Sequence, residues 1–554
     1  MIDKLKDILI LVLLTTVFFG INLGRYPISV PDGARYSEIP REMVLTGDYI
    51  TPRLNGIKYF EKPPLFYWLQ AGAIKLFGAN ELAVSIVNAL MTIGTIILVY
   101  LAARYLYNRI AGLWSTLVYS TYALVFALTR VITLDAALTF FLTGMLVTFT
   151  ISTTMPLGKN RKILLMLSYF FTGCAVMTKG LVGLIFPSIL IVFWLTIAAE
   201  WRNLKNYYPI AGLAIFLVVT LPWHILVQLK NPEFFRFYFV EQHFLRYFTN
   251  YAHRVQKWWF FPTLLIVGLY PWIAFIPQVV VNGIKNFNTH QYSNSRQIIL
   301  ILAWIVIIYG FFSFSQSKLI PYILPIFPAL AIITGNYISE IYQGKYPVGS
   351  NLGFYLLILL KFALALALVM MIFVLDFNNH VIIKKDLIIT ALIMLTGGIL
   401  VLYFHRFKNP VLGLVTIVVI TAGAWLYISP KISIINRQSI KPLILKLQEQ
   451  IREGDEIVCY ADYRQDLPFY MERLITVVDY LGELEFGTKH QDSSSWMINT
   501  ENFINRWQSN RTIYMVVNEN NYNILMNSNQ SLVRGKVIGK LWNTLLVTNA
   551  ESLD

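Results

Sequence analysis

Two aspartates, a glutamate, a histidine and a set of cations stand out in this chain because they fall between long apolar runs or at their margins. Asp32 follows the first such run, in Pro31-Asp32-Gly33-Ala34-Arg35-Tyr36, and Asp135 ends the stretch Arg130-Val-Ile-Thr-Leu-Asp135 at the start of another. An aspartate in such a place is commonly a helix cap. Two on one membrane face also suit the centre of a group transfer, where a carboxylate takes a proton or stabilises positive charge. Glu61 and His243 are acceptable ligands for a divalent cation such as zinc, although metal sites usually need three or four ligands. Arg35, Lys62, Lys179, Arg246 and Lys318 can hold a phosphate leaving group by charge-assisted hydrogen bonds, or can snorkel to lipid headgroups. Tyr36 and Tyr322 accompany them, in a region whose many aromatics also suit an interfacial belt.

These residues must be carried by a membrane scaffold. Of 554 residues 56% are hydrophobic and 14% charged, and many apolar runs are long enough to cross a hydrocarbon core of roughly 30 Å. A net charge of +15 would suggest nucleic acid in a soluble protein. Here the basic residues sit mostly in short loops between spans, where they orient the chain, so nucleic-acid binding is not expected. The run from Ile8 to Leu23 lacks a following small-residue cleavage site and reads as a retained span. Cys174 and Cys459 are far apart, which argues against a structural disulfide or a cysteine metal site.

The apolar pattern predicts about thirteen transmembrane helices, near 8–24, 82–103, 110–128, 136–153, 163–177, 180–199, 209–227, 259–282, 297–314, 319–338, 353–375, 387–404 and 410–428. With the N-terminus inside, the basic loops Arg104–Arg109, Pro156–Lys162, Trp201–Lys205, Lys285–Arg296 and His405–Lys408 also fall inside; Lys384-Lys385 is the exception. The Asp32–Trp68 stretch, Thr133–Asp135, Lys179, Lys230–Lys257 and Ser315–Leu319 then open on the outer side. Topology alone thus collects the chemistry at one face.

Within the first outer loop, 25–80, Tyr36–Leu45 and Pro63–Phe77 read as interfacial helices. A second large outer loop covers 228–258. Residues 1–429 form the membrane domain, and after 430 the composition shifts. Strands are expected at Glu456–Ala461, Leu474–Asp479, Thr512–Val517 and Leu541–Thr548, with a helix at Thr500–Trp507, so 430–554 is read as a small α/β domain on the outer side.

In order along the chain, Pro31-Asp32-x-x-Arg35-Tyr36-x-Glu38-Ile39-x-Arg41-Glu42-Met43, Gly47-Asp48-Tyr49, Tyr59-Phe60-Glu61-Lys62-Pro63, Leu134-Asp135, Val176-Met177-Thr178-Lys179-Gly180, Leu221-Pro222-Trp223, Glu241-x-His243-x-x-Arg246 and Lys318-Leu319-x-x-Tyr322-Ile323-Leu324 resemble the bacterial aminoarabinose transferase family. More broadly, they resemble the protein O-mannosyltransferase-like (GT-C) membrane glycosyltransferases. The resemblance implies transfer of a sugar, 4-amino-4-deoxy-L-arabinose, from an undecaprenyl-phosphate carrier to a lipid A phosphate at the periplasmic face of the bacterial inner membrane. It implies Asp32 and Asp135 at the reaction centre and Glu61 and His243 as metal ligands. Arg35, Tyr36, Lys62, Lys179, Arg246, Lys318 and Tyr322 would lie about the substrate and carrier phosphate. One departure is Gly33, where many relatives carry an acid. Another carrier-linked sugar, such as a hexose or hexosamine, or a protein or glycan acceptor, is the alternative. A lipid or solute transporter fits less well, because the charges lie in outer loops and not at mid-membrane.

Overall fold

A computed structural model describes residues 2–245, 255–288, 295–374, 381–435, 439–529 and 533–550. Helix α1 (Ile2–Gly20) leads to α2 (Asp32–Thr46), which is buried from Gly33 to Met43 despite its charges. Gly47, with φ 71°, ends α2 by returning its N–H to the Met43 carbonyl, a left-handed turn that glycine adopts without a Cβ penalty. A short hairpin, β1 (Arg53–Leu54) and β2 (Ile57–Lys58), turns on Asn55 and Gly56, both at positive φ. It is followed by α3 (Leu65–Phe77). Both interfacial helices are present with shifted starts: α2 begins at Asp32, ahead of the expected Tyr36, and α3 begins at Leu65, with Pro64 outside it as the cap.

The spans begin with α4 (Glu81–Leu106) and α5 (Arg109–Thr121), capped by the side chains of Asn80 and Asn108, which accept the N–H groups of Ala83 and Ala111. Helix α6 (Ala123–Arg130) continues α5 across a 60° bend. Then come α7 (Leu134–Thr154), α8 (Lys159–Lys179), α9 (Val182–Ile197) and α10 (Pro209–Lys230). Further long helices cover Ser295–Phe314, Ser350–Val374, Val381–Arg406 and Pro410–Ile435. Among the described residues nine helices are long and apolar enough to cross a membrane, or up to eleven if each of two bent pairs is one span. The expected thirteen are not reached by this measure. Helix α9 has 16 residues, about 24 Å of helix, and α1 carries Asp3, Lys4, Lys6 and Asp7 in its first turns. Asp7 ties α1 to its neighbours: Arg109 forks onto both its oxygens at 2.7 and 2.8 Å, and Arg104 donates at 2.8 Å.

Residues beyond 440 build a six-stranded sheet from β3 (Glu456–Tyr460), β4 (Thr476–Val478), β5 (Met497–Ile498), β6 (Ile513–Asn518), β7 (Lys536–Leu541) and β8 (Thr544–Thr548), in the order β5-β4-β3-β6-β8-β7. The helix Thr500–Trp507 lies where expected. Two strands escaped the sequence pattern: β5 has only two residues, and β7 is interrupted by a bulge between Val537 and Gly539. This domain is fastened to the first outer loop. Asn55 exchanges two hydrogen bonds of 2.9 Å with the backbone of Ile475, and the Tyr470 hydroxyl accepts the Ile28 N–H at 3.0 Å.

The buried charges of α2 yield a first expectation. Arg41 forks onto Glu38 with two bonds of 2.7 Å, and Glu42 accepts the Gly56 N–H at 2.9 Å. Burial, then the neighbouring Glu38, pushes the Glu42 carboxyl well above the ordinary range. A carboxyl shifted upward favours folding while it is protonated and loses that contribution as pH rises through its folded pKa. Glu42→Gln, which stays neutral, should match the wild-type thermal midpoint near pH 4, where the carboxyl is protonated folded or unfolded, and exceed it near pH 8. A gap independent of pH would count against protonation of Glu42.

Candidate active site

Helix α2 points its first turn at the start of α7 and the end of α8. Asp32, Arg35, Tyr36, Lys62, Thr133, Leu134, Asp135, Lys179, Leu319, Pro321 and Tyr322 line one cavity there. Seven of the side chains singled out in the sequence therefore meet in one place. Asp135 lies in the first turn of α7 and Lys179 in the last turn of α8, and because these helices pack side by side their termini adjoin, so the two side chains form an ion pair. Both are largely buried, at 7% and 10% side-chain exposure. The Lys179 ammonium also lies 4.6 Å from the centre of the Tyr322 ring, a cation–π arrangement. Tyr322 arrives on the short 3-10 helix Ile320–Ile326.

Arg35 is the other hub. Its guanidinium pairs with Asp32 at 3.0 Å, one turn earlier on α2, and with Glu483 of the C-terminal domain. The Tyr59 ring lies 5.8 Å from it. Burial alone would lower the Arg35 pKa, but Tyr59, Glu483, Glu61 and Asp32 together hold it well above the usual value. Arg35 is thus a fixed cation. Asp32, by contrast, keeps a side-chain exposure of 36%, so it is the carboxylate an incoming ligand meets. Its neighbour Gly33 has no room for a side chain without displacing Ser29, since a Cβ there would stand 2.4 Å from the Ser29 hydroxyl oxygen. A side chain at this position is thus excluded by the close approach of Ser29.

Glu483 was not marked by the sequence, which gave no sign of chemistry in the C-terminal domain. It lies on the turn Gly482–Leu484 and receives a 2.7 Å hydrogen bond from Gln465. Burial raises its pKa, against the Arg35 charge that lowers it. Glu483→Gln should cost about tenfold in the activity of this site. In a double-mutant cycle with Arg35→Lys the two losses should not add; additive losses would show that Glu483 acts elsewhere.

The remaining candidates are placed less centrally. Lys318 is buried and donates to the Gln256 carbonyl at 3.3 Å, beside the cavity wall. Glu61 is half-buried and acts electrostatically on Arg35, Tyr59 and Glu483. The backbone of His243 belongs to the π-helical stretch Arg236–Leu245, but its side chain lies outside the described residues, as does Arg246. Among the described residues no group of three or more His, Cys, Asp or Glu side chains is gathered to hold a metal.

The cavity measures about 30 Å³, the share of liquid volume taken by one water. Ion pairs span it, so an anion larger than a water would have to part them on entry. An anion would displace the carboxylates from Arg35 and Lys179, leaving cations on a phosphate and carboxylates facing whatever it carries.

The chain is similar to known proteins in sequence and in fold. Residues 61–226 match the dolichyl-phosphate-mannose-protein mannosyltransferase family, and residues 443–549 match the aminoarabinose transferase C-terminal domain. The undecaprenyl phosphate-alpha-4-amino-4-deoxy-L-arabinose arabinosyl transferase 1 of Proteus mirabilis is 31% identical over 342 residues, 62% of this chain and 61% of that protein. The Pectobacterium carotovorum transferase is 32% identical over 61% of this chain and 59% of its own length. The matched region thus spans about three-fifths of these curated relatives. The crystal structure of ArnT from Cupriavidus metallidurans bound to undecaprenyl phosphate superposes with a TM-score of 0.85 at 24% identity, covering 99% of each chain. Its apo form gives 0.80.

The fold is that of a multi-pass helical membrane protein followed by a small sheet domain, as in the ArnT crystal structures. In sequence the chain is similar to the arabinosyl transferases over about three-fifths of its length, and in fold it is similar to ArnT over nearly all of it.

Proposed function

We propose that the chain transfers 4-amino-4-deoxy-L-arabinose from an undecaprenyl-phosphate carrier to a lipid A phosphate, at the periplasmic face of the bacterial inner membrane. The observation that carries this reading is the single cavity at one membrane face in which Asp32 and Asp135 are each paired with a cation. The relatives named for this sugar and carrier supply the substrate class.

The chemistry follows from the charges. The bond between sugar C1 and the carrier phosphate oxygen breaks, and its electron pair leaves on a phosphate that cations stabilise. An acceptor phosphate oxygen forms the new bond to C1, and being nucleophilic at neutral pH it needs no proton removed. A strong general base is therefore dispensable. Lys62, Lys179 and Arg35 are the described cations of the cavity, and we assign them to the carrier phosphate, with Arg246 as a further candidate. Asp32 is assigned to the positive charge that develops on the sugar ring, and Asp135 to positioning Lys179. Tyr36 and Tyr322 wall the sugar.

Mass spectrometry of lipid A from cells with and without the gene tests this reading. An aminopentose on the lipid A phosphates, present only with the gene, is expected. Unchanged lipid A together with a hexose-modified or protein product would move the chain to another carrier-linked sugar or acceptor.

Glu61 and His243 are proposed as ligands to a divalent cation; two residues make an incomplete site, and no step above depends on it. If they hold one, Glu61→Gln with His243→Ala lowers both bound metal, by elemental analysis, and transfer. Full activity after rigorous chelation would argue against a metal.

A further inference from the structure

The two segments that build the site have a second cavity along their other stretch. Ile28, Ser29, Ser85, Phe126, Arg130 and Ile132 are among the residues enclosing about 120 Å³. The two cavities take successive residues of the same segments: Ile28 and Ser29 line one, Asp32 and Arg35 the other, and Arg130–Ile132 give way to Thr133–Asp135. Asn88 of α4 holds this second segment in place, donating to the Val131 carbonyl at 2.7 Å.

The walls are mostly apolar, and the charge among them is Arg130. Its guanidinium lies 3.6 Å from the centre of the Phe126 ring. Its hydrogen bonds go to the Phe18, Ile21 and Phe126 carbonyls, each at the long distance of 3.3 Å, and the Tyr26 hydroxyl, which also lines the cavity, is a further neutral partner. Among the described residues no carboxylate pairs with it. A partly buried guanidinium with neutral partners only is an unfavourable arrangement that an anion relieves, and its planar fork suits a phosphate. The cations assigned to the carrier phosphate lie in the neighbouring cavity, so this one is free for the other phosphate of the reaction.

We propose that this cavity receives a phosphate of the acceptor lipid, with Arg130 as its anchor and Ile28, Phe126 and Ile132 against its apolar part. The inference rests on the reading of the chain as a transferase to a lipid phosphate. The volume is that of about four waters, room for a phosphate but not for a whole disaccharide headgroup. Donor and acceptor would then approach Asp32 from opposite sides of the same two segments, which keeps two anionic lipids apart until their reacting atoms meet.

The test uses the full-length protein in detergent with purified lipid A, once without donor for binding and once with donor for steady-state kinetics. Arg130→Met should weaken lipid A binding and raise the lipid A KM by about tenfold while the donor KM stays within about twofold. Arg130→Lys should restore part of the loss. Ser85→Phe, which fills the cavity and leaves Arg130 in place, should give the same split between the two substrates and covers the case in which Arg130→Met fails to fold. A rise in donor KM instead, or wild-type lipid A affinity in the folded variants, would overturn the assignment. Failure of the underlying reading looks different: the wild-type protein itself would then make no lipid A product.

Discussion

Asp32→Asn leaves the amount of folded protein in membranes unchanged and lowers sugar transfer by at least about 100-fold. The fold survives because Asp32 is the exposed member of its ion pair, at 36%, and because Arg35 keeps Glu483 when Asp32 loses its charge. Asparagine also keeps the size and shape of the first residue of α2. What disappears is negative charge beside the cavity, and with Gly33 next to it no adjacent carboxylate can substitute. Radiolabel transfer in membranes, normalised to folded protein by fluorescence-detected chromatography, measures both quantities. An active Asp32→Asn protein would remove this aspartate from the centre of the account.

Asp135→Asn has the opposite profile and loses both activity and stability. Its partner Lys179 is only 10% exposed, and breaking a buried pair by removing one member costs about 3–5 kcal/mol, because the other charge is stranded. Lys179→Met strands Asp135 in the same way. The double variant Asp135→Asn with Lys179→Met has no stranded charge, so it should regain most of the lost thermal midpoint while transfer stays absent. Singles as stable as the wild type would show that the pair is not closed in solution. An active double variant would show that neither charge is needed on the substrate.

Much of this was legible in the sequence, for identifiable reasons. Membrane crossings alternate faces, so apolar runs and basic loops alone bring Asp32, Asp135, Lys179 and Tyr322 to one side. That Asp135 and Lys179 touch needs more, namely that α7 and α8 pack directly together, and no residue spacing states this. Glu483 was invisible because its role depends on the C-terminal domain docking onto α2, through contacts such as Asn55 with Ile475. Nothing local in Gly482-Glu483-Leu484 distinguishes it from any surface acid. Arg130 was overlooked for a related reason: a cation at the end of a span suggests a headgroup contact, and only the surrounding walls show it without a carboxylate. The nine to eleven helices that pass on length and composition among the described residues fall short of thirteen where length and charge compete, at short α9 and charged α1.

Reconstitution of the purified protein into vesicles with undecaprenyl-phosphate aminoarabinose and lipid A, with products identified by mass spectrometry, tests the central claim most directly. Lipid A carrying an aminopentose on phosphate and free undecaprenyl phosphate in equal amount are expected, with neither product from Asp32→Asn. Release of free sugar without modified lipid A, or equal transfer by Asp32→Asn, would contradict it.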